Sequence, residues 1–96
     1  MSQPEHQALQ QYFTFTRSVD IPGDYGNYIL FDDVEVTVDV SRWFDGWSVD
    51  AIRLGDRELN WENPESFETM LAAKIAHIIE ADQKDIDERY WEASRG

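Results

Sequence analysis

The chain of 96 residues has no cysteine and only two histidines. Without cysteine, neither a disulfide framework nor a thiolate metal centre can form, and a reducing compartment such as the cytoplasm is favoured. A Ser-His-acid triad would have to use His6 or His77. The neighbouring Asp32 and Asp33 should point to opposite faces of a strand, so paired acid-base chemistry is not indicated. We therefore expect no catalytic residues, no cofactor and no metal site.

Basic residues and long apolar runs are also scarce. Eight Lys and Arg stand against 20 Asp and Glu, which gives a formal net charge of -12 and a pI of about 4.2. This charge repels phosphate backbones and anionic lipids at neutral pH. No apolar stretch approaches the roughly 20 residues needed to span a bilayer. The sequence therefore predicts neither direct nucleic-acid binding nor a membrane-embedded protein.

Aromatic residues, in contrast, are plentiful. Four Trp, four Tyr and five Phe, within a hydrophobic fraction of 42%, indicate a folded core rather than disorder. The length allows one domain over residues 1–96. We expect 1–11 to be frayed or a short helix, 12–61 to form a β-meander, and 64–94 to be helical. A loop rich in Gly and Pro is expected from Pro22 to Asn27.

The strongest strand signal is the valine alternation from Val34 to Val40, which places the valines on one face and the polar residues on the other. Tyr12 to Val19 has the same period and should form the preceding strand. Asp45 and Gly46 then mark a hairpin with two possible registers. A two-residue loop would turn Ile52 and Leu54 to the polar face.

A three-residue loop with Gly46 in the left-handed region pairs Trp43 with Trp47 and Val38 with Ile52, so it keeps the aliphatic residues together. We predict this second register. By the same logic, a loop over residues 55–58 would set Leu54 against Leu59 and extend the apolar face to a further short strand.

A helix is predicted to begin with Asn63 as its cap and Pro64 in its first turn. Apolar residues at a 3.6-residue period, from Phe67 to Ile79, should cover the valine face. The polar segment from Asp82 to Asp85 has no strong breaker, so the helix either continues or a second one begins there. The expected fold is α+β, an antiparallel β-meander of three to four strands packed against one or two C-terminal α-helices.

In the predicted register, the face opposite the valines carries tryptophans among acids. Its members are Glu35, Thr37, Asp39, Trp43, Trp47, Val49 and Arg53. Exposed Trp near carboxylates is typical of a partner-binding patch. The alternative is that the N-terminal segment or the last helix covers the tryptophans as a second small core.

Two functions fit these features. The first is a non-catalytic inhibitor whose carboxylates replace nucleic-acid phosphates on the basic surface of a nucleic-acid-binding protein. The second is a small homo-oligomeric adaptor or assembly protein, such as a homodimer, joined through a strand edge or the Trp patch. The candidate partner-binding residues are Glu35, Asp39, Trp43, Asp45, Trp47, Asp50, Asp82, Asp85, Asp87 and Glu88. Reversing Glu35 and Asp39 to Lys should weaken partner capture without lowering the melting temperature.

The order of elements resembles that of small acidic proteins encoded by bacteriophages and prophages. The resemblance rests on the valine strand, the following strand that ends in the sequence from Ile52 to Leu59, and the acidic C-terminal helix, and it covers Asp32 to Trp91. Such proteins include anti-CRISPR and anti-restriction inhibitors, several of which are DNA mimics. The resemblance therefore implies an inhibitor of a host CRISPR or restriction effector, acting in the host cytoplasm, but it assigns no particular residue a role.

Overall fold

The computed structural model of the protein describes residues 11–23 and 29–95. Four antiparallel strands lie side by side in chain order and two helices follow them. The elements are β1 (Gln11–Pro22), β2 (Ile29–Trp43), β3 (Gly46–Leu54), β4 (Arg57–Glu58), α1 (Phe67–Ala81) and α2 (Gln83–Arg95). The predicted α+β fold is confirmed. The predictions for residues 1–10 and for most of the loop before Ile29 lie outside the described residues.

The core lies between one face of the sheet and the helices. Val36, Val38 and Ile52 are fully buried there, as are Ile75 and Ile79 of α1. Burying one such side chain stabilises a fold by about 1.5–3 kcal/mol, so the alternating pattern strongly favours a single orientation of β2. The expected packing of the valine strand against the helical stripe is confirmed. Neither helix in the described ranges is long and apolar enough to cross a membrane.

The register of the β2–β3 hairpin differs from the prediction. The loop has two residues, with Trp43 opposite Gly46, and not the three-residue loop that paired Trp43 with Trp47. Val38 nevertheless pairs with Ile52, because the register shifts between Asp39 and Val40 and leaves Asp50 as an extra residue in β3. Because of this extra residue, the residues of β3 before Asp50 occupy the opposite face of the sheet from the one that a regular strand would give them.

The connection from β3 to β4 is also tighter than predicted. Leu54 pairs with Arg57 rather than with Leu59, and Gly55 adopts a φ of 62° in the turn. The N–H of Leu59 donates to the carbonyl oxygen of Ile52 at 2.9 Å. Leu59 is still buried in the core, so the shorter turn retains the predicted apolar contact by a different pairing.

Helix α1 begins three residues later than the sequence suggested. Its N-cap is Ser66, whose Oγ accepts from the Thr69 N–H at 3.0 Å. Asn63 instead caps a turn, with its Oδ1 accepting from the Glu65 N–H at 3.1 Å. Asn and Ser can each cap a helix or a turn. In the structure, Asn63 caps the turn and Ser66 caps the helix that follows it.

The polar segment after α1 breaks the helix. Asp82 has φ -111° and ψ 63°, and its N–H donates to the carbonyl oxygen of Ile79. Its own carbonyl then accepts from Asp85 and Ile86 as α2 starts. A second helix starting at Asp82 was one of the two predicted outcomes. The break lets Ile86 enter the core, where it is fully buried.

Gly46 allows α2 to approach the β2–β3 turn, so its replacement should be costly. Gly46 has a φ of 127°, and an added Cβ would lie 2.6 Å from Gln83 Oε1. We expect Gly46→Ala to destabilise the protein by about 1–3 kcal/mol, through backbone strain and displacement of Gln83. Urea unfolding measures the change.

The matched control is Gly55→Ala. Gly55 also has positive φ, but an added Cβ would meet nothing within 4 Å. Its cost should be about 1 kcal/mol, from the left-handed backbone alone. Equal losses for the two variants would show that the Gln83 contact is unimportant.

Candidate functional site

The sheet face opposite the helices is centred on Asp39. The Arg53 guanidinium donates two hydrogen bonds to its carboxylate, at 2.9 and 3.0 Å, and Thr14 Oγ1 donates a third at 2.7 Å. The Arg53 bonds hold the pKa of Asp39 below its ordinary value, and Thr14 adds to the effect against some desolvation. Asp39 lies on the predicted face, but Arg53 already neutralises its charge.

Trp43 also lies on this outer face, 37% exposed. Its Nε1 donates to the buried Ser41 Oγ at 2.9 Å, and that hydroxyl donates to Asp50 Oδ1 at 3.2 Å. These hydrogen bonds hold the bulge residue Asp50 beside Trp43 on the outer face, away from the core. Two of the candidate partner-binding residues thus share one hydrogen-bonded network.

Trp47 does not lie on the outer face, and the predicted register that placed it there beside Trp43 is wrong. It is 4% exposed and lies on the valine face, as does Val49. Its Nε1 donates to Asp87 Oδ1 at 3.1 Å, and its ring lies 5.2 Å from that of Tyr90. The two-residue turn and the bulge put it there, so the last helix covers Trp47.

Two of the four acids on α2, Asp85 and Asp87, and the preceding Asp82 contact arginines of the sheet. Arg17 Nη1 lies 3.2 Å from Asp85 and 3.7 Å from Asp82. Arg42 contacts Asp87 at 3.2 Å. These side chains are 20–54% exposed, so each pair adds at most about 1 kcal/mol. Their effect is to anchor α2 on the sheet, and a partner would have to displace an arginine to reach these carboxylates.

Three other candidates are exposed and form no ion pair within residues 11–23 and 29–95. They are Glu35 in β2, Asp45 in the β2–β3 turn and Glu88 in α2. They occupy separate elements, so the structure does not bring the ten predicted residues into one patch. Only some of the sequence candidates thus remain accessible as carboxylates.

A group of acids that sequence reasoning missed lies where β1 and β2 approach their connecting loop. The Asp33 N–H donates to Asp20 Oδ1 at 2.8 Å, and this bond lowers the pKa of Asp20. A hydrogen bond to Asp20, and the charge of that residue, raise the pKa of Asp32. Asp33 has a φ of 56°, a conformation that aspartate tolerates.

This group, with Glu35, is here named the hairpin-end acids: Asp20, Asp32, Asp33 and Glu35. All four side chains are exposed. The register between β1 and β2 shifts between Val19 and Ile21, so that Asp20 of β1 lies opposite both Asp32 and Asp33 of β2. In the sequence, Asp20 lies two residues before the predicted loop and Asp32 five residues after it, so spacing alone did not pair them.

The charge around the hairpin-end acids is unbalanced. The sequence contains no Lys or Arg between Arg17 and Arg42, whereas it has six Asp and Glu there. Arg17 pairs with Asp85 of α2. Of these six acids, Asp39 pairs with Arg53. The remaining arginine pairs join Arg57 to Glu68 and Arg89 to Asp85. Arginine neutralisation is thus concentrated away from the hairpin end.

Arginines also protect the outer edge of β1. Arg89 Nη1 donates to the carbonyl oxygen of Thr16 at 3.3 Å, and Arg17 Nε donates to that of Ser18 at 3.3 Å. The hydroxyl oxygens of Thr16 and Thr37 lie 2.8 Å apart. This is typical of a non-hydrogen-bonded pair in an antiparallel ladder, in which the backbone N–H and C=O groups of the two residues point away from each other. These carbonyls therefore face the open edge, where charged groups oppose pairing with another strand.

Side chains from the helices protect the edge of β3 in the same way. Gln83 accepts from the Trp47 N–H at 2.7 Å and donates to the Trp47 carbonyl at 2.9 Å. Glu80 Oε2 accepts from the Val49 N–H at 2.8 Å. Gln83 thus makes the two hydrogen bonds that a neighbouring strand would make with the backbone of Trp47. The short β4 does not extend to this part of β3.

A cleft of about 310 Å³ lies where α2 meets the β2–β3 turn, and it contains Arg42, Trp47, Gln83 and Asp87. Their polar groups bind one another, as described above, which makes the cleft a structural contact. Within the described part of the chain, no three His, Asp or Glu side chains are grouped as metal ligands. Comparison with family models, curated proteins and solved structures finds no significant match to the chain.

The repulsion between Asp32 and Asp20 gives a pH-dependent prediction. Because the folded-state pKa of Asp32 is raised, the contribution of this residue to stability should be lost as the pH rises from below 3.8 through that folded pKa. We expect Asp32→Asn to raise the Tm at pH 7, and the advantage to vanish in acid. Thermal unfolding at pH 3 to 7 tests this, with Asp56→Asn as the control. A lower Tm for Asp32→Asn at pH 7 would contradict the assignment.

The arginines at the β1 edge should keep the protein from self-association through that edge. We expect Arg17→Thr combined with Arg89→Ala to cause concentration-dependent dimerisation, measured by light scattering after size exclusion. The control, Arg57→Thr with Arg95→Ala, changes the net charge equally away from β1. A monomeric edge variant, or a wild type that already dimerises through β1, would refute the protective role.

Proposed function

We propose that the protein is a non-catalytic inhibitor that docks its hairpin-end acids on the basic surface of a nucleic-acid-binding protein. The supporting observation is the cluster of Asp20, Asp32, Asp33 and Glu35, exposed at a hairpin end whose sequence contains no basic residue from position 18 to 41. The proposed partner is a host CRISPR or restriction effector, met in the host cytoplasm by a phage-encoded protein.

The electrostatics suit such a role. With a formal charge of -12, the molecule is steered toward a cationic surface before contact. Carboxylates accept charge-assisted hydrogen bonds from Arg and Lys as phosphates do. Occupation of a basic channel by the hairpin end would exclude the nucleic acid from it.

One of the hairpin-end acids, Asp32, is also costly to the fold in its ionised form. Asp32 is exposed yet has a raised pKa, because a side-chain hydrogen bond with Asp20 favours its protonated form and the charge of Asp20 repels its ionised form. Neutral residues there would remove this repulsion without loss of a core contact. A cation from a partner would relieve the same repulsion, which is the behaviour expected of a binding site that trades stability for function.

The proposed contact surface is narrower than the sequence suggested. Glu35 remains in it, while Asp39, Asp85 and Asp87 would first have to release their arginines. Reversing Asp39 to Lys would set it against Arg53, so that variant should also destabilise the fold. Reversal of Glu35 alone is the cleaner test, since its side chain is exposed and outside the ion pairs described.

The protected strand edges disfavour the adaptor hypothesis in its strand-pairing form. Arg17 and Arg89 bind the open carbonyls of β1, and Gln83 and Glu80 bind the open groups of β3. A second copy would have to displace these contacts before either edge could pair. We therefore propose that the protein acts on its partner as a monomer.

The experiment is capture from bacterial lysate on the immobilised protein. We expect nucleic-acid-binding proteins to be retained at low salt, released by high salt and displaced by duplex DNA. The triple variant Asp20→Asn, Asp32→Asn, Glu35→Gln should lose most of this capture, at least tenfold, without a lower Tm.

The control variant is Asp56→Asn, Glu62→Gln, Glu65→Gln, which removes the same charge from other exposed positions. It should retain most of the capture. Equal loss in both variants would show that net charge alone acts, and capture that DNA does not displace would exclude competition for a nucleic-acid site.

A further inference from the structure

The outer face of α2 carries an exposed tryptophan among charged residues. Lys84, Glu88, Trp91, Glu92 and Arg95 are spaced three or four apart and so share one side of the helix. Ile86 is buried on the other side. Trp91 is 53% exposed, although a large apolar residue on the solvent side of a helix adds nothing to the core.

Trp91 is supported from behind by the core. Its ring lies 5.6 Å from that of Tyr90 at 73°. Tyr90 in turn packs on Trp47 and on Phe13, with ring centroids 5.2 and 5.7 Å away. The indole is therefore held in place by aromatic neighbours while about half of its surface remains available.

An open cavity of about 580 Å³ lies in front of the indole, lined by Glu88, Trp91, Glu92 and Arg95. Glu88 and Glu92 are one turn apart, so their negative charges repel across a short distance. Within residues 11–23 and 29–95, neither glutamate forms an ion pair. A cation placed between them would relieve the repulsion while touching the indole.

We propose that this cavity binds the guanidinium of an arginine side chain of a protein partner. The inference rests on the proposed function insofar as that function requires a basic partner, and it adds a second contact on a different element. Trp is the aromatic residue that attracts cations most strongly. A planar guanidinium stacks on the indole and keeps its edge N–H groups for the two glutamates, whereas an ammonium cannot do both equally well.

Arg95 is the basic residue among the four that line the cavity. It lies four residues after Trp91 and three after Glu92, and it forms no ion pair with the described residues. Its charge opposes entry of another cation. Removal of Arg95 should therefore strengthen the binding of a guanidinium ligand.

The probes are two capped peptides, a tri-arginine amide and a tri-lysine amide, titrated into the full chain labelled with ¹⁵N. We expect the arginine peptide to shift the Trp91 indole N–H signal and to bind more tightly than the lysine peptide. Trp91→Leu should weaken arginine binding about two- to fivefold, the range expected for an exposed cation–π contact, and Trp91→Phe should lie between. Arg95→Ala should tighten it.

The control is Phe44→Ala, which removes another exposed aromatic residue, 78% accessible, in the β2–β3 turn. It should leave arginine binding unchanged. Glu88→Gln with Glu92→Gln should reduce both the affinity and the preference for arginine. Equal binding of the two peptides, an unmoved Trp91 signal, or full affinity in Trp91→Leu would overturn the proposal.

The same variants separate this inference from the proposed function. If the hairpin-end variant loses lysate capture while Trp91→Leu retains all of it, and the wild type binds the arginine and lysine peptides equally, the α2 site alone is wrong. If the arginine peptide binds at Trp91 but the hairpin-end variant captures as well as wild type, the α2 site stands and the hairpin-end proposal fails.

Discussion

The extra residue in β3 is the constraint on which the rest of the structure depends. Trp47 and Val49 lie at odd positions and Ile52 at an even one, so a regular strand would turn one set away from the core. Because Asp50 is an extra residue in β3, both sets reach the same face, and the side chains of Trp47, Val49 and Ile52 are all buried on the valine face. The cost of exposing a set of such side chains is several kcal/mol, which far exceeds the loss of regular pairing at one residue. The bulge thus makes Trp47 available as the platform for α2.

The position of α2 on that platform determines where the protein is charged. Asp82, Asp85 and Asp87 of this region contact Arg17, Arg42 and Arg89. These arginines serve the fold twice, since Arg17 and Arg89 also bind the open carbonyls of β1. The ion pairs of residues 82–89 therefore lie where α2 meets the sheet, and none of the ion pairs within residues 11–23 and 29–95 includes a hairpin-end acid.

The sequence predicted the class of fold, the orientation of the valine strand and the apolar face of α1, because each depends on a local period. It also placed Trp43 and Glu35 on the face opposite the valines. The turn between β2 and β3 and the side of Trp47 were predicted wrongly, since a regular ladder was assumed between Trp43 and Leu54. The helix cap was predicted wrongly because Asn63 and Ser66 are both residue types that cap helices and turns. The change from odd to even apolar positions between Val49 and Ile52 was a signal for the bulge. The candidate site was recovered in part, and the cluster of Asp20 with Asp32 was not.

What the sequence determined by itself was the existence of a strongly acidic α+β domain with one apolar face on each element. Composition sets the net charge, and hydrophobic period sets which residues must be buried. What only the tertiary structure decided was which carboxylates are neutralised by arginines, which edges are closed, and which tryptophan is covered. These properties depend on contacts between residues as far apart as Thr16 and Arg89, and such contacts form only after the bulge and the break at Asp82 have placed α2 against the sheet.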